Sequence, residues 1–328
     1  MRKVFKVTGI VIGIILVLIV GAVAYISAFL PNVGDAPDLK IVSTPEKVER
    51  GRYLANHVMV CVDCHSTRDW NYFAGPMKRD SIGKGGERFD HTMGFPGVIY
   101  SPNITPAGIG DWTDGEIFRA ITTGVRKNGK PIFPVMPYHN YGMADPEDIE
   151  AIICYLRELD PIDYKTPEST YDFPVNFLVN TMPQKASFTK RPDTSDVVEY
   201  GRYLVNAASC GDCHTPFENG KYKMELQFAG GRSFDFPAGV VTSVNLTPDD
   251  ETGIGLWTKE VFLDKFRVYR DSAFAHRPVN IMKEYTSLMP WEVYAGMTDS
   301  DLGAIYEYLK SLKPIKNEVV RFVERSQK

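Results

Sequence analysis

Two five-residue strings govern what this chain can become: CVDCH at 61–65 and CGDCH at 210–214. Each sits inside a longer pattern that recurs in the same order. GRYLANHVMVCVDCHS (51–66) answers to GRYLVNAASCGDCHT (201–215), and SPNITPAGIGDWT (101–113) to SVNLTPDDETGIGLWT (243–258). VMPY (135–138) answers to LMPW (288–291), and DIEAIICYLRELDPI (148–162) to DLGAIYEYLKSLKPI (301–315). Repetition on this scale means two copies of one folding unit, not a solenoid of short repeats. The 328 residues suffice for two such units with a core each. The second copy carries an extra stretch around RDSAFAHRPVN.

Two thiols one helical turn apart can each form a thioether with one vinyl group of a haem. The histidine that follows then lies under the iron as its proximal ligand. A zinc site would need a second CxxC, or histidines at finger spacing, within the same unit, and the sequence has neither. A thioredoxin-like pair would accompany a βαβ pattern, which is missing here. A disulfide between residues three apart leaves the histidine and the repeat unexplained. The pattern therefore reads as two covalently attached haem c groups, one on Cys61, Cys64 and His65, the other on Cys210, Cys213 and His214.

The sixth position on each iron is open to methionine, histidine or nothing. Met136 and Met289 match in place and neighbours, and each precedes a proline that fixes its loop. A thioether favours ferrous iron and raises the potential; the competing role for these side chains is filling core gaps. Met143 and Met297 form a second pair, one residue out of step. His139 lies three residues beyond Met136, but its counterpart is Glu292. His57, His91 and His276 lack partners and read as surface or loop histidines. Haem propionates need donors, for which Trp112, Trp257, Arg88 and Arg232 are candidates: matched tryptophans, and near-matched arginines after Gly-Gly. The alternative for them is core packing and solvent respectively. Cys154 falls with Glu150, Arg157 and Glu158, off the apolar stripe of its helix. It reads as a half-exposed structural thiol, with a subunit contact as the alternative.

Residues 7–30 carry no charge, and about 20 such residues span a bilayer. Arg2, Lys3 and Lys6 precede them, which orients the amino terminus to the cytoplasm and everything after Pro31 outside. Ala22-Val23-Ala24 would suit a signal-peptide cleavage site. The apolar run continues through Phe29 and Leu30, beyond a signal core of about 7–15 residues, and this favours an uncleaved anchor. A net charge of −4 argues against nucleic acid as a partner.

Ile149, Ile152, Ile153, Leu156 and Leu159 make one helical stripe that starts at Asp145-Pro146; Thr298 and Asp301 mark the same start in the second copy. A helix is also expected to run into each CxxCH, from about Pro45 and about Ser195. Between Ser66 and Thr113 there is little periodicity, acceptable in a compact unit only if a bound group fills the middle.

These residues resemble the c-type cytochrome family, in particular the membrane-bound cytochrome c subunits of bacterial alcohol, aldehyde and gluconate dehydrogenases. The similarity covers about 45–315 and rests on CVDCH, SPNITPAGIGDWTDGEIFRAITTGV and VMPY with their repeats CGDCH, SVNLTPDDETGIGLWT and LMPW. It implies an all-α fold of two tandem cytochrome c domains with long haem-wrapping loops; the one N-terminal transmembrane helix before them is read from residues 7–30 and departs from that pattern. The expected division is anchor 1–30, linker 31–44, domain 45–160, linker 161–194, domain 195–315 and tail 316–328. It also implies His65/Met136 and His214/Met289 as the two axial pairs. Those dehydrogenase subunits typically carry three haems, where this chain has two motifs. The implied function is that of a non-enzymatic, membrane-tethered dihaem electron carrier on the periplasmic side of the bacterial cytoplasmic membrane. It would run between a donor (a dehydrogenase or respiratory complex) and an acceptor such as a terminal oxidase, with no small-molecule substrate at the iron. A dihaem peroxidase, which needs one displaceable sixth ligand, is disfavoured by a Met-Pro in both copies. A structural haem subunit of a larger complex is the third reading.

Overall fold

A computed structural model describes residues 2–218 and 220–325. Met1 of the expected anchor and Ser326–Lys328 of the expected tail lie outside the described residues. Helix α1 (Arg2–Phe29) is apolar over most of its length and exposed along it; Ile26 alone among its described residues is partly covered.

The remaining helices come in matched sets: α2 (Pro45–Tyr53), α3 (Asp114–Thr123) and α4 (Pro146–Arg157), then α5 (Val197–Ala207), α6 (Lys259–Arg267) and α7 (Asp299–Ser311). Side chains placed by the repeat start them. Asp145 caps α4 by accepting from Glu147 N–H, with Pro146 in the first turn, and Thr298 caps α7 by accepting from Asp301 N–H. Within each half the entry helix crosses the terminal helix, α2 over α4 and α5 over α7. The glycine of each GRYL sits at the crossing: a Cβ on Gly51 would overlap the Ala151 carbonyl, and one on Gly201 the Ala304 carbonyl.

The first half needs six residues between GRYL and its first cysteine, the second only five. The extra one is absorbed by a π-turn over Leu54–Val58, closed by Met59 N–H donating to Leu54 O at 2.7 Å. The second half runs through the same region as ordinary α-helix.

The all-α expectation is incomplete. Strands β1 (Arg88–Phe89), β2 (Gly97–Tyr100) and β3 (Thr170–Tyr171) form one antiparallel sheet, and β4 (Phe217–Glu218) pairs with β5 (Lys221–Tyr222). Strands β6 (Ser233–Phe236), β7 (Gly239–Thr242) and β8 (Phe322–Glu324) form the third sheet. The segments expected as linker 161–194 and tail 316–328 thus play one part twice. Each returns from a terminal helix to complete its half's sheet. Asn103 holds the first return through Ile162 O at 2.8 Å, and Asn245 the second through Ile315 O at 2.7 Å.

The halves are not independent beads. Leu54, Met59, Ile149 and Ile152 share one continuous hydrophobic cluster with Leu204, Ile254, Leu302 and Leu309. The polar contacts across the seam are reciprocal. Tyr53 OH donates to Asp301 Oδ2 (2.5 Å) and accepts from Thr298 N–H (3.1 Å); Tyr203 OH donates to Asp148 Oδ2 (2.7 Å) and accepts from Asp145 N–H (3.1 Å). The tyrosine of each GRYL therefore ties down the start of the other half's terminal helix.

Candidate functional site

Each CxxCH opens a short helical turn, Cys61–Cys64 and Cys210–His214, which puts both thiols of a pair on one turn. The residue before each is held in the left-handed region, Val60 at φ +46° and Ser209 at φ +54°. For a β-branched valine that conformation is strained, and it persists only where the surroundings impose it. Both turns are thereby wrenched out of line with the helix that leads in.

The histidines are anchored alike. His65 Nδ1 lies 2.7 Å from Pro102 O, and His214 Nδ1 2.8 Å from Val244 O. A carbonyl only accepts, so Nδ1 carries the proton and the lone pair is on Nε2. Burial lowers both imidazole pKa values, the carbonyl bonds opposing it. The backbone repeats too: His65 O accepts from Gly85 N–H and His214 O from Gly230 N–H, both at 2.8 Å. Burial pushes the Cys61 and Cys210 thiols up to about 12 and Cys213 up to about 11, and raises Cys64 as well. Among the described residues no three His, Cys, Asp or Glu side chains converge on a metal cage.

In the first half Cys61, Cys64, His65 and Met136 line one cleft of about 840 Å³, its open mouth included. Its walls are mostly apolar, from Phe89, Ile99, Ile121, Phe133 and Leu156, with Arg126 and Tyr171 among the polar-tipped members. In the second half Met289 is half-buried against the common core, its N–H on Ser287 Oγ at 3.1 Å. Two thiols on one turn, a neutral imidazole with a fixed tautomer and a thioether on one apolar cleft are the donor set of a haem c. The residues present fit that group.

The candidates for propionate contacts are placed less simply. Trp112 and Trp257 are partly buried against the core; Trp257 packs under the Lys265 ammonium at 5.2 Å. Neither Trp112 nor Arg88 is among the described residues lining the cleft. Arg88 is exposed and paired with Asp90 at 2.8 Å. Its pairing with Arg232 needs correcting by one residue. Glu87 N–H donates to Ser101 Oγ and Arg232 N–H to Ser243 Oγ, both at 3.1 Å, so Glu87 is the counterpart of Arg232. Arg232 reaches the Asp212 carbonyl and Tyr222 OH (3.2 Å), and its charge opposes the upward push on the Cys213 thiol. Arg68 fills the comparable role beside Cys64, with Asp63 at 3.4 Å and Gly75 O at 2.8 Å.

His139 and His57 are seam residues: His139 Nε2 lies 3.2 Å from Asp212 Oδ1, and His57 Nδ1 3.0 Å from Val293 O. His91 pairs with the exposed Asp172 at 2.6 Å, and His276 Nδ1 lies 2.9 Å from Ser272 O. Cys154 is not half-exposed but buried, at 3%. A hydrogen bond from the Ser43 hydroxyl and the positive charge of Lys47 both favour its thiolate, yet burial dominates and raises its pKa. Sequence reasoning passed over Arg126, Asp63 and Arg68, and also Tyr141 and Tyr294, whose hydroxyls donate to Met59 O and Ala208 O behind each CxxCH turn. The tyrosines did carry a signal, since each stands five residues after its Met-Pro methionine in both copies.

Residues 180–313 match the cytochrome c family model. The chain belongs to the cytochrome c family. Its members are electron-transfer proteins with covalently bound haem c. This cytochrome is 29% identical to the cytochrome c subunit of a quinone alcohol dehydrogenase from Gluconacetobacter polyoxogenes, over 82% of this chain and 56% of that one. It is 30% identical to the gluconate 2-dehydrogenase cytochrome c subunit of Pantoea cypripedii, over 81% of this chain and 59% of the relative. It is also 30% identical to a dihaem cytochrome c-type protein of Cereibacter sphaeroides, over 57% of this chain and 63% of the relative. The chain thus spans little more than half the length of the dehydrogenase subunits it matches.

Proposed function

We propose that this chain is a membrane-tethered dihaem cytochrome c that takes electrons from a dehydrogenase and passes them to a respiratory acceptor such as a terminal oxidase. The observation that carries the reading is the matched anchoring of His65 and His214, each with Nδ1 on a backbone carbonyl and each on a turn bearing two thiols. Cys61 and Cys64 would hold one haem and Cys210 and Cys213 the other, with Met136 and Met289 completing the ligand sets. A bound haem c supplies a one-electron ferric/ferrous couple. The residues of the chain do the rest. The carbonyls of Pro102 and Val244 would aim the imidazoles, the Met-Pro loops would hold the thioethers, and in the first half the apolar walls would keep water from the metal. The shared core and reciprocal tyrosine contacts keep the two centres at a fixed separation.

The relatives named as dehydrogenase cytochrome subunits support the donor class. The exposed apolar helix α1 supports a tether in the bacterial cytoplasmic membrane, with the folded body on the periplasmic side. Such a tether raises the effective concentration of the carrier near membrane partners. The test is mass analysis of the exported protein together with a spectroscopic redox titration. The expected result is two haems per chain and two low-spin couples, with Met136→Ala and Met289→Ala each altering one couple and sparing the other. One haem per chain, or a spectrum indifferent to both substitutions, overturns the reading.

A further inference from the structure

From the surroundings of the apolar helix we infer that residues 173–178 form a second membrane contact, lying in the headgroup–acyl boundary beside α1. The inference rests on α1 being a retained membrane helix. At about 1.5 Å per residue the 28 residues of α1 run to roughly 42 Å, longer than the about 30 Å hydrocarbon core of a bilayer. One end therefore projects into the headgroup region. Tyr25 and Phe29 stack there with ring centroids 5.5 Å apart, in the manner of interfacial aromatic residues. At that same level the otherwise naked helix touches the body: Ile26 is partly covered, and α1 packs against the short helix Val175–Leu178 and the turn Val179–Thr181 that follows it.

What this segment turns outward is apolar. Phe173 is 80% exposed, Leu178 42% and Phe177 38%, and the two phenylalanine rings meet edge to face at 6.3 Å. Val179, by contrast, is buried and pins the segment to the body. The backbone is prepared for a medium poor in hydrogen-bonding partners. Asn176 N–H donates to Asp172 O, while Phe177 and Leu178 N–H both donate to Pro174 O. The carbonyls of Phe177 and Leu178 accept from the side chains of Asn180 and Thr181 at 3.1 and 2.7 Å. These bonds, which satisfy part of the polar backbone within the segment, lower the cost of sinking it below the headgroups. Exposed Lys185 and Lys190 follow in the chain, cations of the kind that anionic lipid attracts. Two exposed phenylalanines beside the exit of an apolar helix thus continue the aromatic level set by Tyr25 and Phe29.

The test uses the full-length, haem-loaded protein in vesicles of phosphatidylethanolamine and phosphatidylglycerol, in a Cys154→Ser background. Nitroxide labels are placed singly at Leu16→Cys within α1, at Phe173→Cys, at Phe177→Cys and at Val320→Cys. Val320 is an apolar residue 67% exposed in the second half, away from α1 in sequence. Collision with oxygen, which concentrates in lipid, and with a water-soluble nickel chelate reports depth. The expected result is that labels at 173 and 177 shift from the water-like ratio of position 320 towards that of position 16. Water-like ratios at 173 and 177 with a deep label at 16 overturn the inference and leave the tether standing. A water-like label at 16 removes the tether and the inference together. Labels at 173 and 177 shielded from both collision partners would mean a protein surface covers the segment, which also overturns it.

Discussion

Glu87 and Arg232 occupy the same backbone position in the two halves, each donating its N–H to a serine hydroxyl, yet they carry opposite charge. In the first half the carboxylate faces Arg68 and the Trp70 indole N–H, and Arg68 in turn pairs with buried Asp63. In the second half Arg232 itself supplies the cation, ringed by Phe217, Tyr222 and Phe234. Around this divergence the scaffold is held constant: the left-handed residue before the first cysteine, the carbonyl on the histidine, the tyrosine behind the turn. The lesson is a division of labour. Backbone geometry is common to both halves while nearby charge is free to differ, and beside a bound haem that charge would set the potential.

The sharpest way to break the comparison is to delete one histidine at a time. His65→Ala and His214→Ala are each expected to abolish one low-spin signal, half of the total, in the visible and magnetic spectra. Loss of both signals from one substitution would mean that the halves do not form their centres separately. Next come the helix crossings. Gly51→Ala and Gly201→Ala each drive a Cβ into a carbonyl, an overpacking worth about 1–3 kcal/mol by denaturant titration. Equal effects are expected, because the two crossings are built alike.

The seam tyrosines should behave unequally. Asp148 keeps Arg50 at 2.9 Å and Arg191 at 2.5 Å after Tyr203→Phe, so that loss should stay below about 1 kcal/mol. Asp301 has no ion-pair partner among the described residues. Tyr53→Phe strips its short hydrogen bond and is expected to cost about 1–3 kcal/mol, read from the same titration. The smallest effects concern the charge exchange itself. Glu87→Gln should raise the potential of the first couple and Arg232→Gln should lower that of the second, each by some tens of millivolts, in a redox titration that resolves the two. Shifts of the same sign would refute the electrostatic account.

Much of this was legible because the chain states it twice. The helix starts at Asp145 and Thr298 could be read from capping chemistry, the entry helix was expected from about Pro45, and the matched CxxCH and Met-Pro strings drew attention to the site. What escaped reading depends on contacts between segments far apart in sequence. Cys154 falls off the apolar stripe of its own helix, but the chain near Ser43 covers it. Strands β3 and β8 are too short to show a period, and only their pairing with β2 and β7 defines them. The pairing of Glu87 with Arg232 needed the serine hydrogen bonds, since string alignment across an insertion is free to slip by one.

The seam has the symmetry of a dimer within one chain. Contacts in which Tyr53 reaches Asp301 while Tyr203 reaches Asp148 are the kind two identical chains make when they pair face to face and close. Each half thus supplies one tyrosine and one capped helix start, so the seam closes on itself and leaves neither surface unmatched.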